Sequence, residues 1–369
     1  MKQNHSAPCH LHHQLLMITV VIIVFGLLSI YSSSSITAFQ QFGDSFYFIK
    51  KQMVALGAGL LIYIILIKTN FHLLSKLALP IILFSFLVLS LTLFPQFKST
   101  LNGASRWIRI LGISFQPVEI VKFTCILFMA KNLSRPNIRI NNPWSALCPS
   151  MIMFCAFASL LLFQPDLGSA VLLFLVISSM LFVANLDYRY FIGTAALAIV
   201  GLFLAIFQAP YRKARLISFL NPWQDIQNSG FQIIQSYLGF QNGNFLGLGI
   251  GESKQKLHFL PEAHTDFILA VIGEEMGYIG VFFIICAYIY LIWTGYQISF
   301  RQDDLFRKFL TFGLTSLIGI QTFINMGVTM GILPTKGMPL PFISAGASSL
   351  TIFMTAIAIL AIAGKCDEI

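Results

Sequence analysis

Apolar residues in this chain come in long blocks separated by short polar stretches. Ten such blocks stand near residues 14–34, 52–69, 75–94, 115–132, 147–163, 168–186, 190–208, 267–296, 309–330 and 342–364. A helix needs ~20 largely apolar residues to cross a hydrocarbon core, and each block approaches that length. The pattern therefore predicts an all-α integral membrane protein of about ten transmembrane helices. One connection is long, about 209–266 between the seventh and eighth blocks, and threading places it on the extracytoplasmic side. No fixed-period repeat or low-complexity tract interrupts the sequence, so residues 1–369 read as a single polytopic domain. The first block follows a His-rich start and runs past Ile30. No small-residue cleavage site follows it, which predicts a retained helix rather than a removed signal.

Composition agrees. Apolar residues make up 57% of the chain and charged residues 10%, with a mean hydropathy of +0.80, which excludes a soluble globular domain. The six cysteines are scattered, with Cys125, Cys155 and Cys286 inside apolar blocks, and no spacing resembles a metal clip or a disulfide framework. The net charge is +9. With both termini in the cytoplasm, eleven Lys and Arg fall on each side, and setting aside the long connection leaves eleven inside against six outside. That balance favours this orientation under the positive-inside rule. The outer basic residues read either as headgroup contacts or as partners for an anionic ligand. No nucleic-acid partner is expected.

Three polar interruptions carry the candidate chemistry, and all three thread to the outer side. The first runs from Asn102 through Arg106 and Trp107 to Phe115-Gln-Pro-Val-Glu119 and Lys122. Pro117 suits the first turn of a helix, where a missing N–H costs nothing. Glu119 and Lys122 then share one helical face, as an ion pair or as ligand contacts. Arg106 has the geometry to clamp a phosphate, while Trp107 reads first as an interfacial anchor. The second interruption is Gln164-Pro-Asp-Leu-Gly168, a tight turn in which Asp166 reads as a helix cap or a catalytic acid.

The third is the long connection itself. Tyr211–Arg215 is a basic cluster suited to the membrane surface or to an acidic ligand. Gly243, Gly247, Gly249 and Gly251 offer turns or a weak phosphate cradle, and Lys254 and Lys256 follow. The connection ends in Leu260-Pro-Glu-Ala-His-Thr-Asp266, with Glu262, His264 and Asp266 at the mouth of an apolar block. Acids there are costly to hold. Asp266 reads as an N-cap or as a desolvated carboxylate whose raised proton affinity suits a general base. Glu274 and Glu275 lie deeper, and at least one is expected to face a polar interior or to pair with a base such as Lys122 or Lys336. Before the last block, Pro334, Lys336, Gly337 and Pro339 break the chain. Ser344, Gly346, Ser348 and Ser349 then offer close packing or hydrogen bonds to a ligand.

Taken in order, Arg106-Trp107, Gln116-Pro-Val-Glu119 with Lys122, Gln164–Gly168, Gln255-Lys-Leu257, Leu260–Phe267, Gly273-Glu-Glu-Met-Gly277, Pro334-Thr-Lys-Gly337 and Pro341-Phe-Ile-Ser344 resemble the SEDS family of membrane glycosyltransferases, the FtsW/RodA proteins. The resemblance covers nearly the whole chain and leans towards the division-type branch, FtsW. It departs at Val118, where the family has serine, and at Ala345 and Ala347, where the family has tyrosine and glycine. It implies a bacterial cytoplasmic-membrane enzyme that polymerises lipid II into β-1,4 glycan strands at the outer face, during cell division. Asp266 falls on the family's essential acid, and Glu119, Lys122, Asp166 and Lys336 on its other polar cavity residues. A class B penicillin-binding protein, other divisome proteins and membrane lipid are the implied partners. A divalent cation, Mg2+ or Mn2+, held in part by Asp266 is the implied cofactor. Arg106, Lys122, Lys256 and Lys336 are candidates to steady a departing pyrophosphate, with Trp107, Glu262, His264 and Ser344 as further substrate contacts. A lipid II flippase and a non-catalytic transpeptidase scaffold are the competing classes.

Overall fold

The computed structural model describes residues 10–94, 99–101, 104–110, 113–136, 138–140, 142–224, 226 and 230–365. Lys2, Lys98 and the Asn102-Gly103 pair lie outside them. A helix occupies each of the ten apolar blocks: α1 (Leu11–Phe42), α2 (Tyr47–Ile67), α3 (Phe71–Leu91), α4 (Pro117–Leu133), α5 (Leu147–Phe163), α6 (Leu167–Val183) and α7 (Tyr188–Phe207). The long connection holds α8 (Pro210–Leu220), α9 (Phe231–Gly243) and a π-helical turn, Gln255–Phe259. Then follow α10 (Ile268–Phe300), α11 (Leu305–Thr329) and α12 (Ala347–Ala363). Helices α1, α2, α3, α7, α10 and α11 are long and apolar enough to cross a membrane, while α5, α6 and α12 are shorter apolar helices.

Local chemistry sets the ends of these helices. Pro117 opens α4 as expected, and α1 closes on Gly43 at φ 72°, whose N–H donates to the Phe39 carbonyl, the usual left-handed stop. Helix α11 is mostly buried and α7 almost wholly exposed, so α11 is central and α7 peripheral. Around α11, apolar side chains of α4, α6, α10 and α12 form one continuous core.

Two features depart from the hydrophobic pattern. The stretch before α4 forms an antiparallel sheet, β1 (Ser99–Leu101), β2 (Ala104–Ile110) and β3 (Ile113–Phe115), with Trp107 opposite Ser99 and Ile108 opposite Phe115. The other is a break in α10 at Gly277, where φ is 67° and ψ −168°. The glycine-rich stretch after α9 repairs this break. Leu248 and Gly249 N–H donate to the Glu274 and Glu275 carbonyls, at 3.0 Å each, and Tyr278 N–H donates to the Asn244 carbonyl at 2.9 Å. Gly243 and Gly247 lie so close to the α10 backbone that a Cβ on either would collide with it. These glycines therefore serve backbone approach rather than a phosphate cradle.

Candidate active site

The segment carrying Asp266 is a succession of turns held by its apolar members. Leu260, Ala263 and Phe267 are buried and pack with Ala270 and Val271 of α10 and Val328 of α11. The polar members Glu262, His264 and Asp266 are left partly accessible. Glu262 takes a left-handed φ of 57°, and its carbonyl accepts from Thr265 N–H at 3.1 Å. The cap of α10 is Phe267, with no side-chain capping bond, so Asp266 does not act as an N-cap. Its carboxylate instead packs against Gly337, where a Cβ would lie 2.5 Å from Oδ2.

The loop between α11 and α12 brings Lys336 to the same place. Lys336 Nζ lies 3.1 Å from Asp166 Oδ1 and 3.3 Å from Ser169 Oγ. Its side chain runs across Gly168, leaving no room there for a Cβ. Asp166 caps α6 as expected, accepting from Ser169 N–H at 3.1 Å and Ser169 Oγ at 2.9 Å. It is therefore both a cap and the counter-ion of Lys336. Arg106, on β2, donates from Nε to the Gln164 carbonyl at 3.3 Å and from Nη2 to the Pro165 carbonyl. Gln164 in turn donates to the Leu89 carbonyl at the end of α3. The 164–168 turn thus ties α3, β2 and the Lys336 loop together. Trp107, next on β2, is half-buried.

Deeper in, Lys122 Nζ donates to Glu119 Oε1 at 2.7 Å and to Gln321 Oε1 of α11 at 2.8 Å. Both charged side chains are 2% exposed, so the ion-pair reading of this motif is the observed one.

Charge and burial set the protonation of the outer groups. Burial and the negative charge of Glu262 push the Asp266 carboxyl up to about 7, although Lys336, Arg106 and Arg215 pull it back. Burial brings Lys336 down to about 8 against the attraction of Asp166. Burial also opposes the charge on Asp166, but Lys336, Arg106 and Ser169 outweigh it and hold that carboxyl well below the usual range. Burial lowers His264, partly offset by Glu262. The site thus has one proton-accepting carboxylate, near its switching point, among three cations.

Several expectations need correcting. Lys256 is not a cation of this site. Its Nζ bonds Glu275 Oε1 at 3.1 Å, Ser32 Oγ at 3.4 Å and the Gly251 carbonyl, so its charge is neutralised elsewhere. Glu275 accordingly pairs with Lys256, not with Lys122 or Lys336. Glu274 accepts from Gln255 N–H at 3.1 Å, Asn242 Nδ2 at 3.2 Å and Ser253 Oγ. Ser344 is a latch between loops, donating to the Thr265 carbonyl at 2.5 Å and accepting from Leu340 N–H at 2.8 Å. His264 packs its ring on Phe48 at 4.5 Å.

Arg215, one of the basic cluster suited to the membrane surface or to an acidic ligand, acts on Asp266 through its charge from α8. Sequence reasoning passed over Gln321 and Asn325. Their signal was present as polar residues four apart inside an apolar block, hence on one helical face.

A hard divalent cation takes about six oxygen ligands. Among the described residues, no three His, Cys, Asp or Glu side chains gather to hold a metal, and the groups acting on Asp266 are mainly cationic. The described residues do not form a cation site of their own.

Replacing Gly337 with alanine is expected to lower turnover, because the new methyl displaces the Asp266 carboxylate. A displacement of that order costs about 10²-fold in rate. Initial rates with natural substrate, beside an unchanged melting temperature, measure it.

Comparison with known proteins places this geometry. The FtsW/RodA/SpoVE family of cell cycle proteins matches residues 13–367. The probable peptidoglycan glycosyltransferase FtsW of Geobacter metallireducens is 42% identical over 94% of this chain and 92% of its own length. Stage V sporulation protein E of Bacillus subtilis is 36% identical over 94% of each. Among solved structures, a chain of a peptidoglycan synthase complex that coordinates polymerization and crosslinking superposes with a TM-score of 0.78, at 28% identity, covering 95% of this chain and 96% of that one. The rod shape determining protein RodA of Thermus thermophilus shares the fold, with a TM-score of 0.70 and 24% identity over 95% of each chain. This multi-pass membrane protein belongs to the FtsW/RodA/SpoVE family of cell cycle proteins.

Proposed function

We propose that this protein is an inverting peptidoglycan glycosyltransferase, polymerising lipid II into β-1,4 strands at the outer face of the bacterial cytoplasmic membrane during cell division. One observation carries the reading. A half-buried Asp266 is held where the charges of Lys336, Arg106 and Arg215 act upon it. Those cations suit a diphosphate, and the carboxylate suits a sugar hydroxyl.

Asp266 takes the proton from the acceptor 4-hydroxyl as its oxygen attacks the anomeric carbon of the lipid-linked donor. The bond from that carbon to the pyrophosphate oxygen breaks, and the leaving group departs with the electron pair. A single displacement inverts an α-linked donor to a β-linked product. Lys336, Arg106 and Arg215 meet the developing negative charge, where preorganised cations in a water-poor site are most effective. Lys122 acts from further in through Lys336, whose proton affinity it lowers.

The similarity to a chain of a complex that coordinates polymerization and crosslinking supports a crosslinking partner; its proposed identity is a single-pass class B penicillin-binding protein, with other divisome proteins around it. The FtsW names of the relatives support the division role. In this reading the chain crosses the membrane ten times and leaves both termini in the cytoplasm.

Proteoliposomes charged with lipid II test the reading. Polymer is the expected product. Translocation without polymer would make the protein a transporter, and neither, with transpeptidase binding intact, would make it a scaffold. Activity is also expected to follow a bell-shaped pH curve. The base form of Asp266 gains population as pH rises through about 7. The cationic form of Lys336 is lost as pH rises through about 8. Initial rates across this range check it, and a flat profile would contradict the assignment of both groups.

A further inference from the structure

Helix α11 lies largely within the protein interior, yet it presents Gln321 and Asn325 one turn apart. Asn325 is 1% exposed. Its Nδ2 donates to the Asp266 carbonyl at 2.9 Å and to the Met338 carbonyl at 2.7 Å. One amide group therefore spans the two loops that bring the acid and the cation together. Gln321 extends the pattern, donating to the Pro339 carbonyl at 2.9 Å while accepting from Lys122.

The bridged carbonyls matter because of what lies beside them. Met338 follows Gly337, the residue against which the Asp266 carboxylate packs. Fixing the Asp266 and Met338 carbonyls to one rigid helix thus fixes the separation of the carboxylate from Gly337 and Lys336. The arrangement also has a cost. Asn325 Oδ1 is buried and, among the described residues, has no hydrogen-bond partner, and stranding a polar group in this way is unfavourable. A residue kept purely for packing at this point would avoid that cost.

We infer that Asn325 is a positioning residue for glycosyl transfer, holding the Asp266 loop and the Lys336 loop in a single catalytic register. The inference rests on the function proposed above. Without the bridge, the two loops separate and water reaches the carboxylate. Asp266 then loses the burial that contributes most to its raised proton affinity, and that loss outweighs the weakened pull of Lys336, which moves away with its loop. The acid side of the rate profile moves to lower pH, and turnover falls because base and substrate no longer hold their alignment. Substrate affinity changes little, because Arg106 on β2 and Arg215 on α8 lie outside the two loops.

The experiment measures kcat, KM and pH dependence of lipid II polymerisation for full-length Asn325→Ala and Asn325→Ser, with Asp266→Asn as reference. Asn325→Ala is expected to lose about 10²-fold in kcat, the scale of a small misplacement, with KM nearly unchanged and the acid limb shifted downward. Asn325→Ser keeps a hydroxyl donor and is expected to fall between the two. It also provides the reading if alanine prevents folding. An unshifted acid limb, with activity falling only in step with folded protein, overturns the inference. So does unmodified turnover in both variants. Polymerisation that survives in Asp266→Asn would sink the underlying function instead. An inactive Asp266→Asn beside a fully active Asn325→Ala would reject the positioning role alone.

Discussion

Asp266→Asn is expected to lose about 10²–10⁴-fold in glycan polymerisation, the usual contribution of a positioned general base. The substitution keeps the shape of the side chain, so the packing against Gly337 and the turn ahead of α10 survive. What disappears is an acceptor for the hydroxyl proton at neutral pH. The neighbouring cations remain, and binding of the lipid diphosphate is expected to persist or tighten, since a competing negative charge has gone. Purified protein in proteoliposomes with defined lipid II measures both quantities. Polymer at the unmodified rate would remove Asp266 from the mechanism.

The second large effect concerns stability. Lys256→Met leaves Glu275 as an unpaired carboxylate in the interior. The pair is almost fully buried, with 7% and 5% of the side chains exposed. Breaking such a pair from one side costs about 3–5 kcal/mol, whereas replacing both partners by neutral groups is often close to neutral. Lys256→Met is therefore expected to melt much earlier than the unmodified protein, and adding Glu275→Gln to recover most of the loss. Thermal unfolding in detergent, followed for the two single variants and the double, measures the coupling. Equal and additive losses would show that the two charges act independently. Because Lys256 also bonds Ser32 of α1, the loss is expected to loosen α1 from the segment leading to Asp266.

How much of this was readable from the residues depends on the kind of signal. Each apolar block holds a helix, because burial in lipid demands long uninterrupted hydrophobic runs. Pro117 and Asp166 marked the starts of α4 and α6, since both act through local backbone chemistry. The Glu119–Lys122 pair followed from helical spacing alone. The sheet before α4 did not emerge, because strands this short carry little periodicity. Helices α8 and α9 were hidden inside a connection judged by its polarity. Lys256 was misplaced because Glu275, its partner, lies 19 residues further on, two turns into α10, and no spacing rule reports a contact of that kind. The role of Gly168 and Gly337 as flat ground beneath Lys336 and Asp266 is likewise a matter of three-dimensional approach. Asn325 was visible as a polar residue in an apolar block, but the carbonyls it joins belong to two distant loops.

The interruption of α10 at Gly277 bears on how the chain is made. Its exposed peptide groups are completed by residues 244–249, which leave the ribosome some thirty positions earlier. Synthesis from the amino end delivers the splint before the fracture it mends, so α10 never has to wait in lipid with bare amides and carbonyls. A circular permutation that reversed this order would ask the insertion machinery to release a cracked rod whose brace had yet to be translated.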